Sequence, residues 1–149
     1  MIRTESEYKE AVARLKQERL RLEDHRARLQ ESGLSAEEVK RVCDPMESFH
    51  LQLREEVEDY ERMVRGNFGD FQNLRGIGQL LVKLRIVQGL TQRELADRLG
   101  VHESQVSRDE RNEYHNITVE RASRILDALQ AEVRTTVEKP STPRESVPA

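Results

Sequence analysis

The side chains able to do chemistry are few and scattered. Four histidines, His25, His50, His102 and His115, stand far apart with no pair at metal-ligand spacing. The single cysteine, Cys43, has no second thiol to join. No glycine-rich phosphate loop and no nucleophile turn occurs. The chain is therefore expected to be no enzyme and to hold neither metal nor cofactor. A different chemistry sits in Gly89 to Glu110, "GLTQRELADRLGVHESQVSRDE". His102, Glu103, Ser104, Gln105, Ser107 and Arg108 crowd one short helical pattern there, a set of donors and acceptors suited to recognition. A helix used only for packing would be apolar at 104, 105, 107 and 108, and all four are polar.

Such a cluster needs a rigid support, and the flanking residues supply one. Thr91-Gln92-Arg93-Glu94 is a capping box that opens a helix over Gln92 to Leu99. Ala96 is small enough for a second helix to approach closely. Gly100 ends the first helix in a left-handed conformation that costs glycine little. Leu95, Leu99, Val101 and Val106 supply the apolar contact between the two, and the second helix runs from Glu103 to about Arg111. This is the internal logic of a helix-turn-helix. Further helical patterns stand on either side, from Leu74 to Gln88 and from Val119 to Leu129, the latter with Thr118 as N-cap. Leu81, Leu84, Leu95, Ala96, Leu99, Val101, Val106, Ile117, Ala122, Ile125 and Leu126 suffice for one small core over 70–130.

From Leu74 to Leu129 the chain resembles the XRE family of Cro- and lambda-repressor-type DNA-binding domains. The residues that carry the likeness are "RIVQGLTQRELADRLGV", "SQVSRDE" and "TVERASRILDAL". The resemblance implies that the helix from Glu103 lies in the major groove of double-stranded DNA. His102, Glu103, Ser104, Gln105, Ser107 and Arg108 would then read base edges, with Arg108 matched in shape to guanine and Gln105 to adenine. Gln92, Arg93, Arg111 and Tyr114 would hold phosphates, Gln92 also bracing the reading helix. Arg85 and Glu110 would form a partly buried structural ion pair. Two positions depart from the pattern. Asn112 replaces the usual glycine after the reading helix, a place where asparagine tolerates a left-handed backbone, and Asp109 stands where many relatives are apolar.

The first 67 residues are built differently. Thr4-Glu5-Ser6-Glu7 caps a long helix with apolar Tyr8, Val12, Leu15, Leu22 and Leu29 at steps of three, four and seven. Gly33 ends it. Ser35-Ala36-Glu37-Glu38 opens a short second helix, and Asp44-Pro45-Met46-Glu47 restarts it with proline at its first position. Met46, Phe49, Leu53, Val57, Tyr60 and Val64 then form one stripe, so the two helices are expected to pack as an antiparallel, coiled-coil-like hairpin. "TESEYKEAVARLKQ" and "EVEDYERM" look like the helical extension of HigA-type antitoxins, which implies a toxin protein as partner. After a joint at Gly66-Asn67-Phe68-Gly69 and the helix-turn-helix domain, Val133, Thr135 and Val137 alternate with polar residues and predict a short strand over 131–138. The composition of "KPSTPRESVPA" predicts a disordered tail over 139–149.

Composition agrees with this division. Of 149 residues only 36% are hydrophobic, 36% are charged and 4% aromatic, too little apolar surface for one large core. Residues 1–70 carry 13 Lys/Arg against 17 Asp/Glu, while 71–137 carry 10 against 9. The acidic hairpin is thus a poor phosphate ligand and is better suited to a protein contact. Three Phe and three Tyr are too few for the exposed aromatic platforms of single-stranded RNA binding. No apolar run approaches the ~20 residues of a membrane span and no signal-peptide core is present, so a soluble, cytoplasmic protein is expected. The expected fold class is all-α, with an N-terminal antiparallel hairpin, a compact lambda-repressor-like helix-turn-helix bundle and a short C-terminal strand. The expected function is sequence-specific transcription regulation, as a repressor that reads a palindromic operator as a homodimer. The alternatives are an antitoxin that binds its toxin through the hairpin, and an interaction protein that uses the motif only for packing.

Overall fold

The computed structural model describes residues 1–138. Six helices follow one another: α1 Glu5–Glu31, α2 Ala36–Val64, α3 Ile77–Val87, α4 Gln92–Leu99, α5 Glu103–Arg111 and α6 Val119–Ala128. The fold is all-helical. Three of the helices open with full capping boxes, at Thr4 with Glu7, Ser35 with Glu38 and Thr91 with Glu94. In each, the hydroxyl accepts from the third residue's amide and that residue's carboxylate accepts in return, which satisfies two otherwise unpaired donors.

The first two helices form the antiparallel hairpin. Tyr8 near the start of α1 stacks on Tyr60 near the end of α2, ring centroids 4.9 Å apart, and the Tyr8 hydroxyl donates to Glu61 at 2.7 Å. Near the turn, Leu22, Val39 and Cys43 make a small core with Leu29 against it, and Arg26 pairs with Glu47. Two expectations about α2 need correction. It does not break at Asp44-Pro45 but continues through Pro45. The proline deprives the Arg41 carbonyl of its helical donor, and Arg41 lies on the exposed side where water can replace it. The apolar stripe is also only partly buried: Val57 is covered, whereas Met46, Phe49 and Val64 are exposed. The reason lies on α1, which carries Glu18 and Arg21 beside Leu22 opposite Met46 and Phe49. Leu22 is the one aliphatic residue of α1 at that place, too little to cover both side chains.

The second unit is a bundle of α3 to α6 around Leu81, Val82, Leu95, Ala96, Val106, Tyr114, Ala122, Ile125 and Leu129. Helix α3 starts at Ile77, later than the expected Leu74, because Asn73, Leu74 and Gly76 all take left-handed backbone angles. Gly100 ends α4 at φ 67°, as a close turn requires, and the Val101 amide donates back to the Ala96 carbonyl at 3.0 Å. The hairpin touches this bundle through Lys83 on α3, which donates to Asp59 on α2 at 3.1 Å.

The strand expected over 131–138 is not formed, and no strand occurs among the described residues. The segment follows α6 as a non-helical run past Leu80, Leu84 and Phe71 on one side and Leu74, Ile77 and Ile117 on the other. A strand exists only through its ladder, and among the described residues no backbone hydrogen bond joins 132–138 to another segment. The tail expected over 139–149 lies outside the described residues.

Candidate nucleic-acid interface

Among the described residues, one charged side chain has no exposed surface. Glu110 on α5 is 0% exposed. Its carboxylate accepts two hydrogen bonds from the Arg85 guanidinium of α3, at 2.5 and 2.8 Å, and a third from the Gln92 amide of α4 at 2.8 Å. Arg85 also donates to the Leu90 carbonyl at 2.6 Å, in the turn between α3 and α4. One buried carboxylate thus ties together three helices and the α3–α4 turn. Bidentate geometry is the arrangement that best compensates a buried charge.

With Glu110 and Val106 turned inward, the helical period decides what α5 shows outside. Ser104, Arg108 and Arg111 are spaced four and three apart on the opposite side, with Gln105 beside them, and all four are exposed. Ser107 lies at the flank and is half-buried. His102 is the N-cap of α5: its Nδ1 lies 3.2 Å from the Ser104 amide, whose hydrogen bond it accepts, and 2.8 Å from the Ser104 hydroxyl. His102 and Ser104 therefore already have a structural partner in each other, while both, with Glu103, remain exposed.

The expected phosphate-holding residues separate. Arg93 and Arg111 are exposed on α4 and α5. Gln92 spends an amide hydrogen on Glu110, so it braces α5 from the side. Tyr114 requires a correction. It is only 5% exposed, its hydroxyl is enclosed without a partner, and it packs in the bundle core, so it does not reach a surface ligand. Burial first, then the Glu110 and Asp109 carboxylates, push its phenol above the ordinary range and keep it neutral.

Charge is sorted in the same direction. Three acids of the motif are used internally, whereas Asp97 and Glu103 stay exposed. Glu110 is held by Arg85, Asp109 by Arg121 of α6, and Glu94 by its capping box, whose Thr91 amide and hydroxyl hold the carboxyl below the ordinary range. Among the described residues, Arg93, Arg108 and Arg111 make no ion pair. The open face is left with free guanidinium groups beside neutral hydrogen-bonding side chains and the single carboxylate of Glu103.

Three contacts escape a reading of the sequence. Arg121 with Asp109 explains the departure from an apolar residue at 109: the position makes an ion pair to α6. Arg98 ties α4 to the α6 end by donating to the Ala128 carbonyl at 2.8 Å. Gly78 packs against the turn after α5 so closely that an added Cβ would stand 1.9 Å from the Glu113 carbonyl oxygen. A glycine inside an otherwise regular helical pattern was the available signal. That turn is itself unusual. Asn112 keeps a right-handed conformation at φ −91°, and the left-handed angles fall on Glu113, Tyr114 and Asn116.

A polar, cationic helix face held on a four-helix scaffold defines a recognition module. Among the described residues there is no grouping of side chains able to hold a metal ion and no helix long and apolar enough to cross a membrane. A helix-turn-helix family model (HTH_3) matches residues 81–134. Over these residues the chain is similar to helix-turn-helix domains of the XRE type, the kind that DNA-binding transcription regulators carry. No curated protein and no solved structure matches the chain.

Proposed function

We propose that the protein is a sequence-specific transcription regulator, acting as a repressor, with α5 in the major groove of double-stranded DNA. The observation that carries this reading is the outward side of α5: Ser104, Gln105, Arg108 and Arg111 are exposed, and both arginines are free of partners among the described residues. Arg108 is the reader of guanine and Gln105 the reader of adenine, because their paired donors and acceptors match those base edges. His102, Glu103 and Ser107 flank them at the groove. Arg93 and Arg111 hold phosphates and set the register. Twofold operators are the usual targets of such domains, which makes a homodimer the working form.

Substitutions at the two kinds of residue must fail differently. Arg108→Ala should cost ~1–3 kcal/mol on the preferred operator and little on scrambled duplex. Arg111→Ala should weaken both alike and flatten the salt dependence by about one unit of slope. Binding titrations at several salt concentrations measure both. If neither substitution changes binding to any duplex from the parent genome, α5 does not read DNA.

One feature favours a second reading, in which the regulator is also an antitoxin. The hairpin carries an open groove of about 350 Å³ lined by Leu22, Pro45, Met46 and Phe49, with Glu18 and Arg21 at its edge. A groove of this kind suits a partner protein. Affinity purification of the tagged chain from its own cells, at endogenous expression, tests it. A stoichiometric small protein that is lost on Phe49→Glu supports the antitoxin, and its absence leaves the lone repressor.

A further inference from the structure

The run that follows α6 has the composition of a strand and the surroundings of none. Glu132-Val133-Arg134-Thr135-Thr136-Val137-Glu138 places β-branched residues at 133, 135 and 137, with charged or polar residues at 132, 134, 136 and 138. Among the described residues, the last backbone hydrogen bond of the chain joins the Ala131 amide to the Leu126 carbonyl, and none involves 132–138. The side chains are open as well, with Val137 82% exposed. An unpaired strand-like run of this kind is an edge that offers its amides and carbonyls to another chain.

We propose that this edge is completed by the same run of a second copy, forming an antiparallel two-stranded ribbon across the dimer axis. The sequence is complementary to itself when the axis passes through Thr135. Val133 then faces Val137 of the other copy in both directions, and Thr135 faces its equivalent. Arg134 lies diagonal to Glu138 of the other copy. The Glu132–Glu138 pairs fall at the exposed ends, where the repulsion is screened by solvent. A shift of the pairing by a single residue would set the apolar face of one copy against the polar face of the other. The inner face of the ribbon continues the apolar groove of Leu74, Ile77, Ile117 and Leu126, so pairing would also cover surface left open on the bundle. An isologous contact of this kind closes at two copies, the symmetry that a twofold target needs. The inference rests on the dimeric part of the proposal above and not on what α5 binds.

Two measurements on the full chain test it. Sedimentation at micromolar concentration should give a dimer, and Val133→Asp with Val137→Asp should weaken it by roughly tenfold or more. Helical content should stay unchanged, since both positions lie outside every helix. Oxidation of Thr135→Cys with diamide should produce a disulfide-linked dimer, because residues opposite one another in a ladder have Cα atoms ~4.5–5.5 Å apart. Glu132→Cys should not cross-link, since its equivalent would stand about 20 Å away along the ribbon. The parent chain is the control, its one thiol, Cys43, being fully buried. A monomeric full chain overturns the proposal. So does a dimer indifferent to the double aspartate change, or equal cross-linking at 132 and 135. Duplex titrations on the same samples keep the two ideas apart. A ribbon-linked dimer that ignores every duplex would sink the DNA reading and leave this one standing.

Discussion

Glu110 carries a buried charge held by three hydrogen bonds from two side chains, so its energetics depend on Arg85 more than on any apolar neighbour. Arg85→Ala should lower stability by about 3 kcal/mol, because Gln92 alone then faces an enclosed carboxylate. Arg85→Met combined with Glu110→Leu should cost less than the single change, since no unpaired charge remains. Urea midpoints of the three proteins decide the order, and an unchanged midpoint for Arg85→Ala would mean that the pair contributes nothing. Tyr114 is the converse case. Its hydroxyl is enclosed without a partner, so Tyr114→Phe should leave stability equal or higher by up to ~1 kcal/mol. Duplex binding should be unaffected. A uniform loss of binding in that variant would put the hydroxyl on a phosphate after all.

At the scale of elements, two backbone features decide how the helices meet. Gly78 lets α3 lie against the left-handed turn at Glu113 and Tyr114, and a methyl group there would collide with backbone that cannot swing aside. Gly78→Ala should therefore destabilise by ~1–3 kcal/mol or more, although alanine is the better helix former. A thermal midpoint that rises instead would show that the turn can move. In the hairpin the argument runs the other way. Pro45 interrupts the hydrogen-bond ladder of α2 without contributing a cap, so Pro45→Ala should stabilise the chain by about 1–2 kcal/mol. Calorimetry of the full chain measures it.

At the scale of the whole molecule, an acidic hairpin is joined to a domain whose open face is cationic. The two are joined through the Lys83–Asp59 ion pair. The hairpin's field therefore acts on any polyanion approaching the domain. If α5 binds DNA, a 70–149 fragment should hold scrambled duplex more tightly than the full chain at low salt, by roughly several-fold. The gap should close as ionic strength rises and the Debye length falls toward ~3 Å. Filter binding across a salt series checks this, and equal affinities at low salt would show that the hairpin carries no electrostatic influence.

What could be read from the sequence is what neighbouring residues determine among themselves. The capping boxes at Thr4, Ser35 and Thr91 and the left-handed Gly100 are complete within one turn of chain, so residue types and spacing suffice to find them. The same holds for the polar side of α5, because a helical period assigns faces once one buried residue is known. The Arg85–Glu110 pair was legible only through resemblance, since nothing local links positions 25 apart. Tertiary structure alone decided the rest. Tyr114 reads as a surface phenol until the left-handed turn folds it into the core, and Asp109 reads as a misfit until Arg121 arrives from α6. Pro45 reads as a helix start, yet α2 continues through it at the loss of one hydrogen bond. Val133, Thr135 and Val137 have a strand's alternation but no partner among the described residues, and a pattern of residues cannot state whether a neighbouring strand exists. Periodicity records which face a segment would bury, whereas burial itself depends on what the remainder of the chain brings to that face.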